Sequence, residues 1–146
     1  MAASNFSPVP TQTAAVVLLR GKGIVPTRPR IEIAQLLFAR PQHISADAVA
    51  AGLSRAGSTI SRATVYNTLG LFVEKGLLRA IMADPTRLFY DSNTAPHYHL
   101  FDVETGRIED LGGEEAALSV LANLPPGVQV ESVDVVVRVR GMNPTH

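Results

Sequence analysis

At 146 residues, 46% of them hydrophobic, the chain is long enough for one domain or two small ones with a packed core. It has no cysteine, which excludes disulfides, thiolate zinc sites and cysteine nucleophiles, and fits a cytoplasmic protein. The formal net charge of zero conceals a split: residues 1–90 carry ten Lys/Arg against four Asp/Glu, a net of +6, and residues 91–146 carry three against nine, a net of −6. A basic first part suits a polyanion and an acidic second part suits cations. The longest apolar run, residues 14–19, is far short of the ~20 residues that cross a bilayer, and no basic stretch precedes a long apolar one as in a signal peptide.

Residues 1–10, MAASNFSPVP, read as a flexible lead-in. A short helix is expected from Thr11, stopped by Gly21 and Gly23. A second runs from Thr27 to about Ala39, with Thr27 as cap, Pro29 in the first turn and Pro41 at its end. Ile33, Leu36, Leu37 and Phe38 give it a core face. ISADAVAAGLSRAG is a third helix, capped by Ser45 and closed at Gly57. The fourth, within TISRATVYNTLGLFVEKG, starts at Ser61 and stops at Gly76. Val65, Leu69, Phe72 and Val73 follow the spacing of a buried stripe, so Ala63, Thr64 and Asn67 point away from it and Tyr66 lies on its flank.

LLRAIMADPTRLFYDS reads as a β-hairpin with strands near 77–83 and 87–91 and a turn at Asp84-Pro85. Short helices followed by a hairpin predict a winged helix-turn-helix, with 61–75 as its second motif helix and 77–91 as its wing. HYHLFDV and RIEDL flank a turn and give another hairpin, and GEEAALSVLANL is an amphipathic helix ended by Pro125-Pro126. The alternation of Val133, Val135, Val137 and Val139 with their neighbours predicts a half-buried strand over 133–140. The expected fold class is α+β: a flexible N-terminus over 1–10, a winged-helix DNA-binding domain over 11–91, and a small α/β dimerisation and sensor domain over 92–146. A sheet this small needs a partner surface, which a homodimer supplies.

A helix in the major groove reads base edges with short polar and apolar side chains. Asn67 suits an adenine edge, Thr64 and Ala63 a thymine methyl, and Tyr66 a phosphate, sugar or base. Arg62, Arg20, Lys22, Arg28 and Arg30 suit phosphates.

Two of the four histidines stand one residue apart in FYDSNTAPHYHLFDVETGRIED. On a strand, His97 and His99 point to one face. Asp91 precedes them, Asp110 lies on the returning strand, and His43 lies upstream in the loop before the third helix. Mixed imidazole and carboxylate donors suit Fe²⁺, Mn²⁺ or Zn²⁺. A His-x-His pair alone fits two surface strand residues as well.

SRATVYNTLGLFVEKGLLR resembles the recognition helix and wing entry of the ferric uptake regulator superfamily, with its Thr-Val-Tyr, Leu and Gly-Leu signature. GIVPTRPRIEIAQLLF, HISADAV and VESVDVVVRVRG extend the resemblance over nearly all of residues 14–141. Within it, TVYNTL, FYDSNTAPHYHLF and VDVVVRVR are most similar to the iron response regulator (Irr) branch. The resemblance implies a homodimeric regulator that binds an AT-rich, roughly palindromic DNA operator and no membrane. It also implies one regulatory metal between the two domains, held by His43, Asp91, His97, His99 and Asp110 in the manner of the peroxide-sensing branch. Fe²⁺ or Mn²⁺ is the expected ion, with Zn²⁺ as an in vitro substitute. Haem is a second candidate ligand, although the run here is HYH rather than three histidines and no Cys-Pro motif is present.

Two departures follow from the residues. The place of a Cys-x-x-Cys pair reads DVET, Asp102 to Thr105, so no structural four-cysteine zinc is expected, and Pro96 and Tyr98 stand where a second metal site needs ligands. Two other classes compete: a metal-dependent enzyme with a His/Asp site, and a winged-helix protein-interaction module with structural histidines. Against the enzyme, the chain has no Gly-rich phosphate loop, no nucleophile elbow and no separate acid/base pair, and five protein ligands leave little room for a substrate.

Overall fold

The computed structural model describes residues 11–95, 97–112 and 121–142. The predicted lead-in over 1–10 lies outside them, as does most of the predicted helix at 113–124. The chain divides into two compact units between Thr94 and Ala95.

The first unit holds four helices, α1 (Gln12–Gly21), α2 (Arg28–Leu37), α3 (Ala46–Arg55) and α4 (Arg62–Glu74). It also holds strands β1 (His43–Ile44), β2 (Arg79–Asp84) and β3 (Arg87–Asp91), in the antiparallel sheet order β1-β3-β2. Thr11, Ser45 and Ser61 cap their helices, each side chain accepting from the backbone N–H three residues on. α1, α3 and α4 end alike: Ile24 N–H donates to Leu19 O, Ser58 N–H to Leu53 O and Leu77 N–H to Phe72 O. That six-to-one bond needs a left-handed residue just before it, which Gly76 supplies after α4 with φ of 77°. The core joins Leu19, Ile33, Leu37, Val49, Val65, Leu69 and Phe72, all fully buried.

α2 departs from expectation at both ends. Thr27 makes no side-chain cap; instead, the Arg30 guanidinium donates to Val25 O at 3.0 Å. The helix ends at Leu37, well before Pro41, because the Gln42 amide donates to the Leu36 and Leu37 carbonyls at 2.9 and 3.0 Å and satisfies that terminus. β2 starts at Arg79 rather than 77, since Leu77 and Leu78 both bond back to Phe72 O as α4 closes. His43 is not in a loop. It forms β1 with Ile44, and pairs in register with Asp91.

In the second unit, β4 (Tyr98–Asp102) lies between β5 (Ile108–Leu111), antiparallel, and β6 (Val136–Val139), parallel. β4 is central and buried on both faces: Tyr98, His99, Phe101 and Asp102 are all buried. The strand predicted over 133–140 is shorter, and Val137, expected inward, is 41% exposed. β6 pairs with β4 alone among the described strands, and just before it His99 N–H donates to Val135 O.

Candidate metal centre and nucleic-acid interface

Each unit holds one group of donor side chains. In the first, antiparallel pairing sets His43 opposite Asp91, with His43 Nε2 at 3.1 Å from Asp91 Oδ2. The other Asp91 oxygen accepts from Asn93 N–H at 2.9 Å, which fixes the carboxylate. Both side chains are withdrawn from solvent, at 15% and 3% exposure. Ser92, next in the chain, keeps its hydroxyl buried without a hydrogen-bond partner.

In the second unit, His99 lies directly across from Asp110 in the β4–β5 ladder. Strand parity turns His97 to the same side, with the two rings edge to face at 4.4 Å. Asp110 Oδ1 lies 3.0 Å from His97 Nε2 and 3.6 Å from His99 Nε2. Both imidazoles are buried and the carboxylate is half exposed.

The His97 ring constrains what this group can hold. Its Nδ1 lies 2.6 Å from Ala95 O, a carbonyl that can only accept, so Nδ1 carries the proton. In the neutral ring Nε2 then presents a lone pair to a carboxylate. Two acceptors at that distance need a cation between them, either a proton on Nε2 or a metal ion. Ligands at ~2.1 Å from one ion stand roughly 3.0–3.5 Å apart, a range that includes the His97–Asp110 separation of 3.0 Å and lies close to the His99–Asp110 separation of 3.6 Å. A backbone carbonyl fixing the distal nitrogen is the usual support of a metal-bound histidine. The donor chemistry therefore fits a borderline divalent ion such as Mn²⁺, Fe²⁺ or Zn²⁺.

On α4, Arg62, Ala63, Tyr66 and Asn67 are exposed, whereas Thr64 is half-buried and its Oγ1 accepts from the Ser61 hydroxyl at 3.0 Å. Arg62 and Tyr66 both donate to one oxygen of Asp47 on α3, Tyr66 at 2.6 Å. The Tyr66 hydroxyl, then the Arg62 charge, hold the Asp47 carboxyl below its ordinary range, and the same carboxylate pushes the Tyr66 phenol up. Arg28 is tied to Glu32, which also accepts from the Ser58 hydroxyl, and Arg30 to Val25 O. Arg20 and Lys22, at the end of α1, are exposed. Asp47 was not among the sequence candidates. An acid in a helix's first turn reads as a complement to the helix dipole, and its partners on α4 come only from the tertiary fold.

Residues 22–136 match the ferric uptake regulator family. The chain belongs to that family. Its members are metal-responsive, non-enzymatic DNA-binding regulators of transcription. Over 96 residues this family member is 32% identical to the peroxide-responsive repressor PerR of Staphylococcus aureus, a match covering 66% of this chain and 65% of the relative. The ferric uptake regulator of Pseudomonas aeruginosa, solved with manganese, is 27% identical with a TM-score of 0.71, over 88% of this chain and 98% of that one. That of Francisella tularensis, solved with iron, is 27% identical with a TM-score of 0.70, over 80% and 90%. No helix among the described residues is long and apolar enough to cross a membrane.

Where a structural zinc would need its first cysteine pair, this family member has a buried Asp102. Its Oδ1 accepts from Glu104 N–H at 2.8 Å and Thr105 N–H at 3.3 Å, and its Oδ2 from Met142 N–H at 2.8 Å. Burial opposes the charge, but the backbone donors outweigh it and hold the carboxyl below its ordinary range.

Proposed function

We propose that the chain is a homodimeric, metal-responsive transcriptional regulator whose α4 enters the major groove of an AT-rich, roughly palindromic operator. The first unit reads DNA and the second dimerises and senses. His43 and Asp91 from one unit and His97, His99 and Asp110 from the other share one divalent ion, Fe²⁺ or Mn²⁺ in the cell. Ion binding then biases how the two units are held, a two-state element set by a ligand. The observation that carries this is the His97 ring, pinned through Nδ1 with its Nε2 at 3.0 Å from the Asp110 carboxylate, in a chain of this family. Dimerisation is supported by the exposed apolar residues Leu124, Val128, Val130 and Val137 of the second unit. DNA contact is supported by the exposed face of α4, with Arg20, Lys22, Arg28 and Arg30 on phosphates. Similarity to the Irr branch makes haem the second effector to examine.

The test selects a duplex from a random library with purified protein, then measures binding with Fe²⁺, Mn²⁺ or haem, for wild type and the His97→Ala/His99→Ala double variant. Metal-dependent binding lost in the double variant is the expected result. Failure to bind any duplex overturns the regulator. Binding that ignores metal and is unchanged in the variant removes the sensor site and keeps the DNA-binding role.

A further inference from the structure

Asp47 is the second residue of α3, and Arg62 and Tyr66 stand four apart on α4, hence on one face of that helix. One carboxylate oxygen, Asp47 Oδ1, takes hydrogen bonds from both. None of the three is buried: the Asp47 and Arg62 side chains are 67% and 66% exposed, and Tyr66 is 44% exposed. Such a tie adds little to the core, and an exposed ion pair is weak enough to be exchanged for another anion. Asp47 and Tyr66 also line a cleft whose far wall is the β2–β3 wing, with Thr86, Arg87 and Leu88. The carboxylate therefore sits on the surface that a duplex backbone meets when α4 and the wing straddle it.

Resting on α4 as the DNA-reading helix, we propose that Asp47 is a positioning residue that sets specificity by holding Arg62 and Tyr66 until base contacts displace it. Non-specific DNA offers phosphates alone. Releasing Arg62 to a phosphate then exchanges one ion pair for another and leaves the Asp47 charge facing the duplex. An operator adds base-edge contacts from the same helix, which offset that cost. On non-specific DNA Arg62 therefore stays on Asp47 and its phosphate contact is forgone, whereas on the operator it is released, so Asp47 weakens the non-specific mode more.

The experiment measures binding of the full chain with Mn²⁺ across a salt series, to the duplex selected by wild type and to a scrambled duplex of equal length. The variants are Asp47→Asn, Arg62→Gln, and the two combined, each with a thermal melt. Asp47→Asn is expected to bind the scrambled duplex about three- to fivefold tighter. The operator-to-scrambled ratio then falls about threefold, and the salt slope on scrambled DNA steepens by about one unit. In the Arg62→Gln background the same change tightens both duplexes alike, because the Asp47 charge then faces either one, and leaves their ratio unaltered. An unchanged ratio and slope in Asp47→Asn, with wild-type binding intact, overturns the proposal and leaves α4 as the reading helix. A lower melting temperature with both duplexes weakened equally also overturns it, since that is what a purely structural Asp47 gives. Wild type that binds no duplex removes the DNA-reading role itself and this proposal with it.

Discussion

The Nδ1 of His97 is occupied by Ala95 O, so only Nε2 is left to act, and it acts toward Asp110. Replacing His97 with Ala removes one of the proposed ligands and keeps His99 and Asp110. Mn²⁺ affinity, read by calorimetry, is expected to fall at least about 100-fold, because losing even a supporting partner of a metal ligand costs roughly 10- to 100-fold. Ser92 makes the opposite case. Its hydroxyl is buried without a partner, and such a group costs about 1–3 kcal/mol. Ser92→Ala is therefore expected to leave the metal-free protein as stable or up to about 1 kcal/mol more stable by denaturant unfolding. A clear loss of stability would show that the hydroxyl has a role. The donors differ in how readable they are. His97, His99 and Asp110 follow from strand parity and one short hairpin, which are local rules. The His43–Asp91 pair depends on a two-residue strand that pairs with a segment distant in the chain, and no local pattern signals it.

At the scale of elements, the helices were the most legible part because their signals are short-range. Ser45 and Ser61 cap as read, and Val65, Leu69 and Phe72 form the buried stripe of α4. Thr68 is buried too, although a polar residue beside that stripe gave no sign of it. The valine alternation before Arg140 misled because pairing, not side-chain period, decides where an edge strand begins. Asp102 is the tie that the composition hid: one carboxylate closes the β4–β5 turn and fastens Met142 after β6. Its folded-state pKa lies below the ordinary ~3.9, so the stability it adds is present above that value and lost as the pH falls through the folded value. Asp102→Asn is expected to be less stable than wild type at neutral pH, because an amide oxygen accepts these bonds more weakly. The difference between the two should shrink as the pH drops below about 4, by thermal melts across an acid series. A difference that is constant over that range would show that the charge is not what matters.

At the scale of the whole molecule, the charge split suits the division of work proposed above: the net-positive residues 1–90 suit a polyanion, and the net-negative residues 91–146 contain four of the five proposed metal donors. What joins these roles is whether His43 with Asp91 and His97 with His99 and Asp110 grip one ion or two. A shared ion couples the groups, so removing either removes the site. Separate ions leave the groups independent. Mn²⁺ at 100 times its dissociation constant stabilises a protein that binds it only when folded by about 2.7 kcal/mol, which is roughly a 5–10 °C rise in melting temperature for a chain of this size. His43→Ala and His97→Ala are each expected to abolish most of that rise. The double variant should then lose no more than either single one, since the second change acts on a site already gone. Losses that add, with each single variant keeping about half the rise, would mean that the two groups bind separately, and the ion could not be what links DNA reading to sensing.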